Sequence, residues 1–221
     1  MRGCTLKTLF IDSSRKSLSV ALAKEDKLVF VSNVNSYSKH SNFLMNEISK
    51  ILNKFNLKPE DIDNYVILNG PGSFTGVRVG VTVSKTLAWT LSKKIYTINN
   101  LEALKVGIKD DIIISVIPDK NDFSYVGIYG DKTEEKYLSI DDDLLNIHNK
   151  SITIVSMESS TYLNNLIEKL SKFNDVKPKI IDDYDYINVI NYALSKESIN
   201  PHLVKPLYLK KIDAEKKKND N

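Results

Sequence analysis

The sequence predicts an α/β fold, a mixed sheet with helices on its faces. Three observations predict it. Three short apolar runs in the first 34 residues are separated by hairpin-length gaps. An amphipathic helical stretch, a short buried run and a second helical stretch then follow in alternation. The second half repeats that alternation more loosely.

The first apolar run, residues 6–11, stops at Asp12-Ser13-Ser14. The second covers 18–23 and the third 28–34, with turn-rich gaps at 13–16 and 24–27. Phe43, Leu44, Ile48, Ile51, Leu52 and Phe55 recur at spacings of three and four, with Asn46, Glu47, Lys50 and Lys54 between them. That spacing predicts an amphipathic helix with Ser41 or Asn42 as its N-cap, and Pro59 stops any continuation. Residues 65–68 read as a short buried strand leading into Gly70-Pro71-Gly72-Ser73-Phe74-Thr75-Gly76.

Two patterns overlap in the next stretch. Val77, Val79, Val81 and Val83 alternate as in a strand, yet Gly76, Gly80, Ser84 and Ala88 recur every four residues, a smooth stripe on a helix. Length decides for a helix, because no turn signal interrupts the segment before Leu91. Each glycine weakens it by roughly 1 kcal/mol, which packing must offset. Further on, 112–117, 125–129 and 151–155 read as strands, and 162–170 and 187–194 as helices. A domain boundary falls between 100 and 110, giving units 1–105 and 106–210 and a charged tail, 211–221.

Composition narrows the function classes. The chain has 221 residues with 42% hydrophobic content, enough for a sizeable core. Acidic and basic residues nearly balance at a net charge of +3, so no basic face marks a dedicated nucleic-acid binder. Lys210-Lys211 and Lys216–Lys218 form the one basic run, which reads as a solvated tail. The single cysteine, Cys4, forms neither an internal disulfide nor a multi-cysteine zinc site. With no membrane-length apolar run and no signal-peptide pattern, the expected location is the cytoplasm and no membrane is a partner.

The glycine-rich segment is the strongest local signal. It is a tight turn whose free N–H groups could contact an anion, but no Lys-Ser or Lys-Thr pair ends it as in a P-loop. Arg78 either adds charge there or pairs with a surface carboxylate. Asp12, at a strand end, is either a magnesium-positioning carboxylate or a turn residue bonded to its own backbone. Asp12, Gly72, Ser73 and Gly76 are therefore the candidates for contact with a weakly held nucleotide. A helical metal pair starting at His40 needs a second ligand four residues on, and that residue is Leu44. His148 and His202 stand far apart, so the sequence assigns no metal ligand, nucleophile or general base.

Several of these stretches, in order, resemble one family. Leu9-Phe10-Ile11-Asp12-Ser13-Ser14 with Leu18-Ser19-Val20-Ala21, His40-Ser41 through Leu44, and Asp61-Ile62-Asp63 come first. The glycine-rich string through Val79-Gly80 follows, then Asn99-Asn100-Leu101-Glu102-Ala103-Leu104 and Pro206-Leu207-Tyr208-Leu209. Together they resemble the TsaB (YeaZ-type) tRNA threonylcarbamoyladenosine biosynthesis family, densely over residues 1–105 and thinly beyond. The resemblance implies an actin-like, sugar-kinase-like (ASKHA) fold of two related lobes. It implies a non-catalytic subunit that pairs with a metal-bearing TsaD-like catalytic subunit and a TsaE-like ATPase, meeting tRNA only within that complex. The modified base is the adenosine 3′ of the anticodon. Catalytic relatives carry a His-x-x-x-His metal pair on the first helix; here those positions read His40 and Leu44. No tightly bound cofactor is implied, and self-pairing in the partner's absence is left open. Ile117-Pro118-Asp119-Lys120-Asn121-Asp122 stands where an Asp-Ala-Arg-like turn is expected, so no second-lobe functional residue is carried over.

The competing reading is a kinase or nucleotide hydrolase of the same fold, using Asp12 for magnesium and the glycine turn for phosphate. It calls for a second phosphate loop, and residues 105–221 hold only the scattered Gly107, Gly127 and Gly130. The expected partner surface is the helix over 41–55 with the helix over 75–91, through Met45 and the stripe Gly76, Gly80, Ser84 and Ala88. The alternative is that the stripe packs on the protein's own sheet.

Overall fold

In the computed structural model, residues 5–35, 40–120, 122–142 and 147–210 are described. Cys4 and the tail 211–221 lie outside them. The strands and helices run β1 (Lys7–Asp12), β2 (Ser17–Lys24), β3 (Lys27–Asn35), α1 (His40–Lys54), β4 (Asn64–Leu68), α2 (Phe74–Thr90), β5 (Lys94–Ile98) and α3 (Asn100–Lys105). The chain continues through β6 (Ile112–Pro118), β7 (Phe123–Tyr129), β8 (Thr133–Ser139), β9 (Ser151–Ser156), α4 (Thr161–Ser171), β10 (Asp175–Ile180) and α5 (Tyr186–Leu194). Among the described residues no helix is long and apolar enough to cross a membrane.

Two compact units result. One comprises Met1–Ala103 with Asp185–Leu207, the other Leu104–Tyr184 with Tyr208–Asn221. The sequence placed 106–210 in a single second unit; the structure returns 185–207 to the first. The reason is the apolar face of α5, where Tyr186, Val189, Ile190 and Ala193 are buried. Tyr186 meets Phe10 of β1 edge to face at 5.4 Å and donates to Asn33 of β3 at 3.0 Å. Past α5, Ile199 bridges to Ile95 on the free side of β5.

The first unit's sheet has the order β3-β2-β1-β4-β5. The β1–β2 and β2–β3 pairs are antiparallel, and β4 and β5 add in parallel. Strand β1 is buried along nearly its whole length because both of its faces are covered. Leu9 and Ile11 point into a core with Leu44, Ile48 and Ile51 of α1 and Val77 and Val81 of α2, while Phe10 points the other way, to α5. Burying each such aliphatic side chain is worth about 1.5–3 kcal/mol.

Helix α1 begins at His40, so Ser41 and Asn42 lie inside its first turn and not at its cap. The four-residue stripe of α2 faces the protein's own sheet: Gly76, Gly80, Ser84 and Ala88 are all buried. This corrects the expectation that the stripe meets a partner. A Cβ on Gly80 would collide with the Ser13 side chain and reach Ile67 at 3.1 Å. Glycine there lets the helix lie on β1 and β4, and the packing of Val77 and Val81 offsets its poor helix propensity.

The second unit repeats the strand plan, in the order β10-β9-β6-β7-β8. An antiparallel meander, β6–β7–β8, is extended in parallel by β9 and β10. Helix α4 covers one face through Tyr162, Leu163, Leu166 and Leu170, packed on Ile114, Val116, Val126, Ile128, Ile152 and Ile154.

Ser84 separates two kinds of substitution. It is fully buried and its hydroxyl finds no hydrogen-bond partner. Ser84→Ala removes a buried orphan polar group and should hold or raise stability, by up to about 1 kcal/mol. Ser84→Leu overfills the contact and should lower stability by about 1–3 kcal/mol. Urea unfolding midpoints of both variants read the difference; an unchanged midpoint for Ser84→Leu would contradict the internal packing of α2.

Candidate functional site

The end of β1, the glycine-rich turn before α2 and the start of α3 meet at one place in the first unit. Asp12 is fully buried there. Its Oδ1 accepts from the Ser14 backbone N–H at 2.8 Å and the Ser14 hydroxyl at 2.5 Å. Its Oδ2 accepts from the Arg15 Nε at 2.7 Å. A second guanidinium nitrogen of Arg15 reaches the Ser19 hydroxyl at 2.9 Å. Taking a carboxylate out of water is expensive unless it is paired and bonded, and these groups supply both.

The network continues from Ser14. Its hydroxyl accepts from Asn100 Nδ2 at 2.5 Å. Asn100 Oδ1 accepts from the Gly70 N–H at 3.1 Å, and the Asn100 N–H returns a bond to Gly70 O at 2.9 Å. The Ser73 N–H donates to Ser14 O at 2.7 Å, and the Ser13 hydroxyl donates to Gly76 O at 2.8 Å. The turn is therefore stitched to the end of β1 from both sides. Contact is so close that a Cβ on Gly72 would lie 2.5 Å from Ser14 O. Ser73 caps α2 by accepting from the Gly76 N–H at 3.3 Å.

The four sequence candidates, Asp12, Gly72, Ser73 and Gly76, are thus brought together. The polar groups of Asp12, Ser73 and Gly76 are engaged with the chain itself. The Asp12 oxygens go to Ser14 and Arg15, and the N–H groups of Gly70, Ser73 and Gly76 go to Asn100, Ser14 and Ser73. Arg15 places a positive charge where a strand-end carboxylate could otherwise present itself to a cation. Arg78 lies over the Phe74 ring at 3.7 Å. Arg15 and Asn100 were not singled out as chemically important by the sequence; the signal for Asn100 was its place straight after a strand, in the Asn99-Asn100-Leu101 run.

His148 packs edge to face on Phe173 at 5.0 Å, and His202 on Trp89 at 5.2 Å. Leu44, the residue one turn on from His40, is fully buried in the core. Among the described residues no three His, Cys, Asp or Glu side chains cluster so as to hold a metal ion.

The helices beside this network carry a different kind of feature. Phe74, Arg78, Thr82, Thr86 and Trp89 follow one another on the exposed side of α2. Phe74 is 48% and Trp89 60% exposed, and Met45 of α1 is 48% exposed. Leu203, next to His202, is 66% exposed.

The family model described as TsaD, tRNA N6-adenosine threonylcarbamoyltransferase, matches residues 34–117. The tRNA threonylcarbamoyladenosine biosynthesis protein TsaB of Bacillus subtilis is 35% identical over 123 residues, 55% of this chain and 54% of that protein. A Mycoplasma genitalium protein, the uncharacterized MG208, is 24% identical over 204 residues, 91% of this chain and 94% of that one. The chain spans about half the length of the Bacillus relative it matches. Among solved structures, a Pseudomonas aeruginosa protein with similarity to peptidase YeaZ superposes with a TM-score of 0.75 at 18% identity, covering 93% of this chain and 100% of its own. At that identity the likeness carries the fold alone, two mixed five-stranded sheets with flanking helices.

Two substitutions test the network as a structural clamp. Asp12→Asn should cost about 3 kcal/mol, because Arg15 keeps its charge in a half-closed site without a counterion. Gly72→Ala should cost at least as much as an overpacked core residue, about 1–3 kcal/mol, because a backbone oxygen must move. Guanidinium melts of both variants measure this, and wild-type midpoints would refute the clamp.

Proposed function

We propose that this chain, a TsaB/YeaZ-type protein, is the non-catalytic partner subunit of a tRNA threonylcarbamoyltransferase complex. Its role is to bind and support a TsaD-like subunit that carries the metal and transfers the threonylcarbamoyl group. The observation that carries the reading is Leu44: it fills the core where a metal pair beginning at His40 would need its second ligand. The self-engaged carboxylate of Asp12 supports it as well, since that group is matched to Arg15 and is not poised toward a magnesium–nucleotide. Peptidase chemistry lacks support for the same reason as metal chemistry. A TsaE-like ATPase and tRNA would join only through the pair, and the chain would hold a nucleotide weakly or not at all.

The partner surface proposed here is the exposed side of α1 and α2, with Met45, Phe74 and Trp89 as its apolar groups, and not the buried stripe. A large aromatic such as Trp89, desolvated in a partner's pocket, is the residue type that dominates binding energy. The kinase or hydrolase alternative is weaker because the second unit's sequence holds no counterpart of the glycine-rich turn. Gly127 lies within β7, where a Cβ would strike the Tyr129 ring.

The purified chain should bind no stoichiometric iron or zinc and should transfer no threonylcarbamoyl group alone, but should restore transfer when added to the TsaD-like protein of the same organism. Elemental analysis showing one tightly held metal per chain, or transfer by the chain alone, would sink the proposal. For the surface, Trp89→Ala and Met45→Glu should leave the melting temperature within a degree or so. Each should weaken co-purification and raise Kd for the partner, by about thirty-fold for the tryptophan, the equivalent of about 2 kcal/mol. Unchanged affinity in both variants would place the partner elsewhere.

A further inference from the structure

A second cluster, in the other unit, has no part in this reading. It stands at the end of the sheet where β6 finishes, β7 starts and β8 ends. Tyr125 and Tyr137 are directly opposite across the β7–β8 pair, and Phe123 lies two residues before Tyr125, so all three rings share one face. Phe123 and Tyr137 stack with centroids 5.1 Å apart and planes 12° off parallel, and Tyr125 lies 4.9 Å from Tyr137. All three are half-buried, leaving ring surface open to solvent.

One charged pair closes the cluster. The Tyr137 hydroxyl donates to Asp119 Oδ2 at 2.8 Å, and the Lys210 ammonium meets the same oxygen at 3.1 Å. That ammonium also lies 4.9 Å from the Tyr137 ring centroid. Partial burial pushes the Asp119 carboxyl up, but the bonds from Tyr137 and Lys210 outweigh it and hold the group below the usual carboxylate range. The same contacts, to Tyr137 and Asp119, raise Lys210 above an ordinary lysine. A carboxylate beside aromatic faces is a favourable site for an ammonium ion.

We propose that Asp119, Tyr137, Tyr125 and Phe123 form a lysine-docking cradle whose occupant is this chain's own C-terminal basic segment, anchored by Lys210. Charge complementarity singles out that occupant. Asp119, Asp122, Asp141 and Asp142 stand at this end of the sheet. Asp122 O accepts from the Ile140 N–H, and Asp142 Oδ2 from the Ser139 N–H. The nearby described lysines are Lys120, next in sequence to Asp119, and Lys169, which donates to Ile140 O. Residues 210–218 carry five lysines against two acids. The sequence reading treated that segment as a solvated tail; the cradle gives its first lysine a defined place. Docking holds these lysines away from other polyanions, and because the acids are near the surface, added salt releases them.

Zero-length carbodiimide crosslinking of the full chain, mapped by mass spectrometry, tests this directly, since the reagent joins only carboxylates and amines already in contact. The expected products are an Asp119–Lys210 amide and links from Lys211 or Lys216–Lys218 to Asp122, Asp141 or Asp142. All should lie within one chain, as judged with a mixture of isotopically light and heavy protein, and their yield should fall about tenfold at 1 M salt. Asp119→Asn should abolish the first link and lower the others several-fold. Lys210→Gln, at an exposed side chain, makes the same test if the asparagine variant does not fold. Tail links to carboxylates elsewhere, tail links unchanged in both variants, no tail links at all, or links between light and heavy chains would each overturn the proposal, the last by assigning the cradle to a second copy.

Discussion

A carboxylate placed without solvent at the end of the first strand must be neutralised and given donors, and much of the first unit is arranged to do so. Asp12 obtains its charge partner from Arg15, three residues on, and its donors from Ser14. Ser14 in turn accepts two bonds, at its hydroxyl from Asn100 at the start of α3 and at its backbone oxygen from Ser73 before α2. Through these contacts one buried charge fixes the positions of segments far apart in sequence. Gly72 follows from the same demand, since only a residue without a Cβ allows the turn to come so near Ser14 O.

The two units use one strand plan and cover it differently. In both, an antiparallel meander is extended in parallel by two more strands. The first sheet is covered on both faces, by α1 and α2 on one and α5 on the other, whereas α4 covers one face of the second. Between the third and fourth strands the first unit has α1; the described residues of the corresponding stretch, between β8 and β9, hold no helix. The glycine-rich turn is likewise confined to the first unit. Likeness of backbone plan therefore does not extend to likeness of chemistry, which is a property of side chains set on the plan.

Periodicity made the first unit legible. The runs over 6–11, 18–23 and 28–34 became β1, β2 and β3, and the amphipathic spacing around Ile48 became α1. The contest over Val77–Val83 went to the helix, because four small residues at helical spacing let α2 lie flat on the sheet. Weaker patterns were missed for physical reasons. Strand β8, Thr-Glu-Glu-Lys-Tyr-Leu-Ser, is a half-exposed edge whose charged residues mask its alternation. Strand β10 contains Pro178, which lacks an N–H and is tolerated because the strand pairs on one side alone. Strand β5 is five residues long and follows soon after α2, too brief for a period to declare itself. At the site, the sequence identified Asp12 and the glycine turn but not that they satisfy one another. Local pattern marks a polar group; only the fold shows who its partner is. The same holds for the stripe on α2, whose spacing was evident but whose facing surface, the protein's own sheet, was not.

The return of the chain to its first unit has a consequence for the order in which the molecule can be completed. A chain grows from its N-terminus at about 5–20 residues per second, and domains fold as units when their residues are all present. Residues 104–184 are contiguous, so the second unit's sheet and α4 can assemble without waiting for a distant segment, Tyr208–Lys210 excepted. The first unit is made earlier yet finished later. Until 185–207 has emerged, the side of β1 that bears Phe10 lacks Tyr186, and the outer edge of β5 lacks the bridge from Ile199. For that interval an apolar sheet face and an open strand edge are both exposed during synthesis, the two kinds of surface that favour aggregation and pairing with the wrong strand.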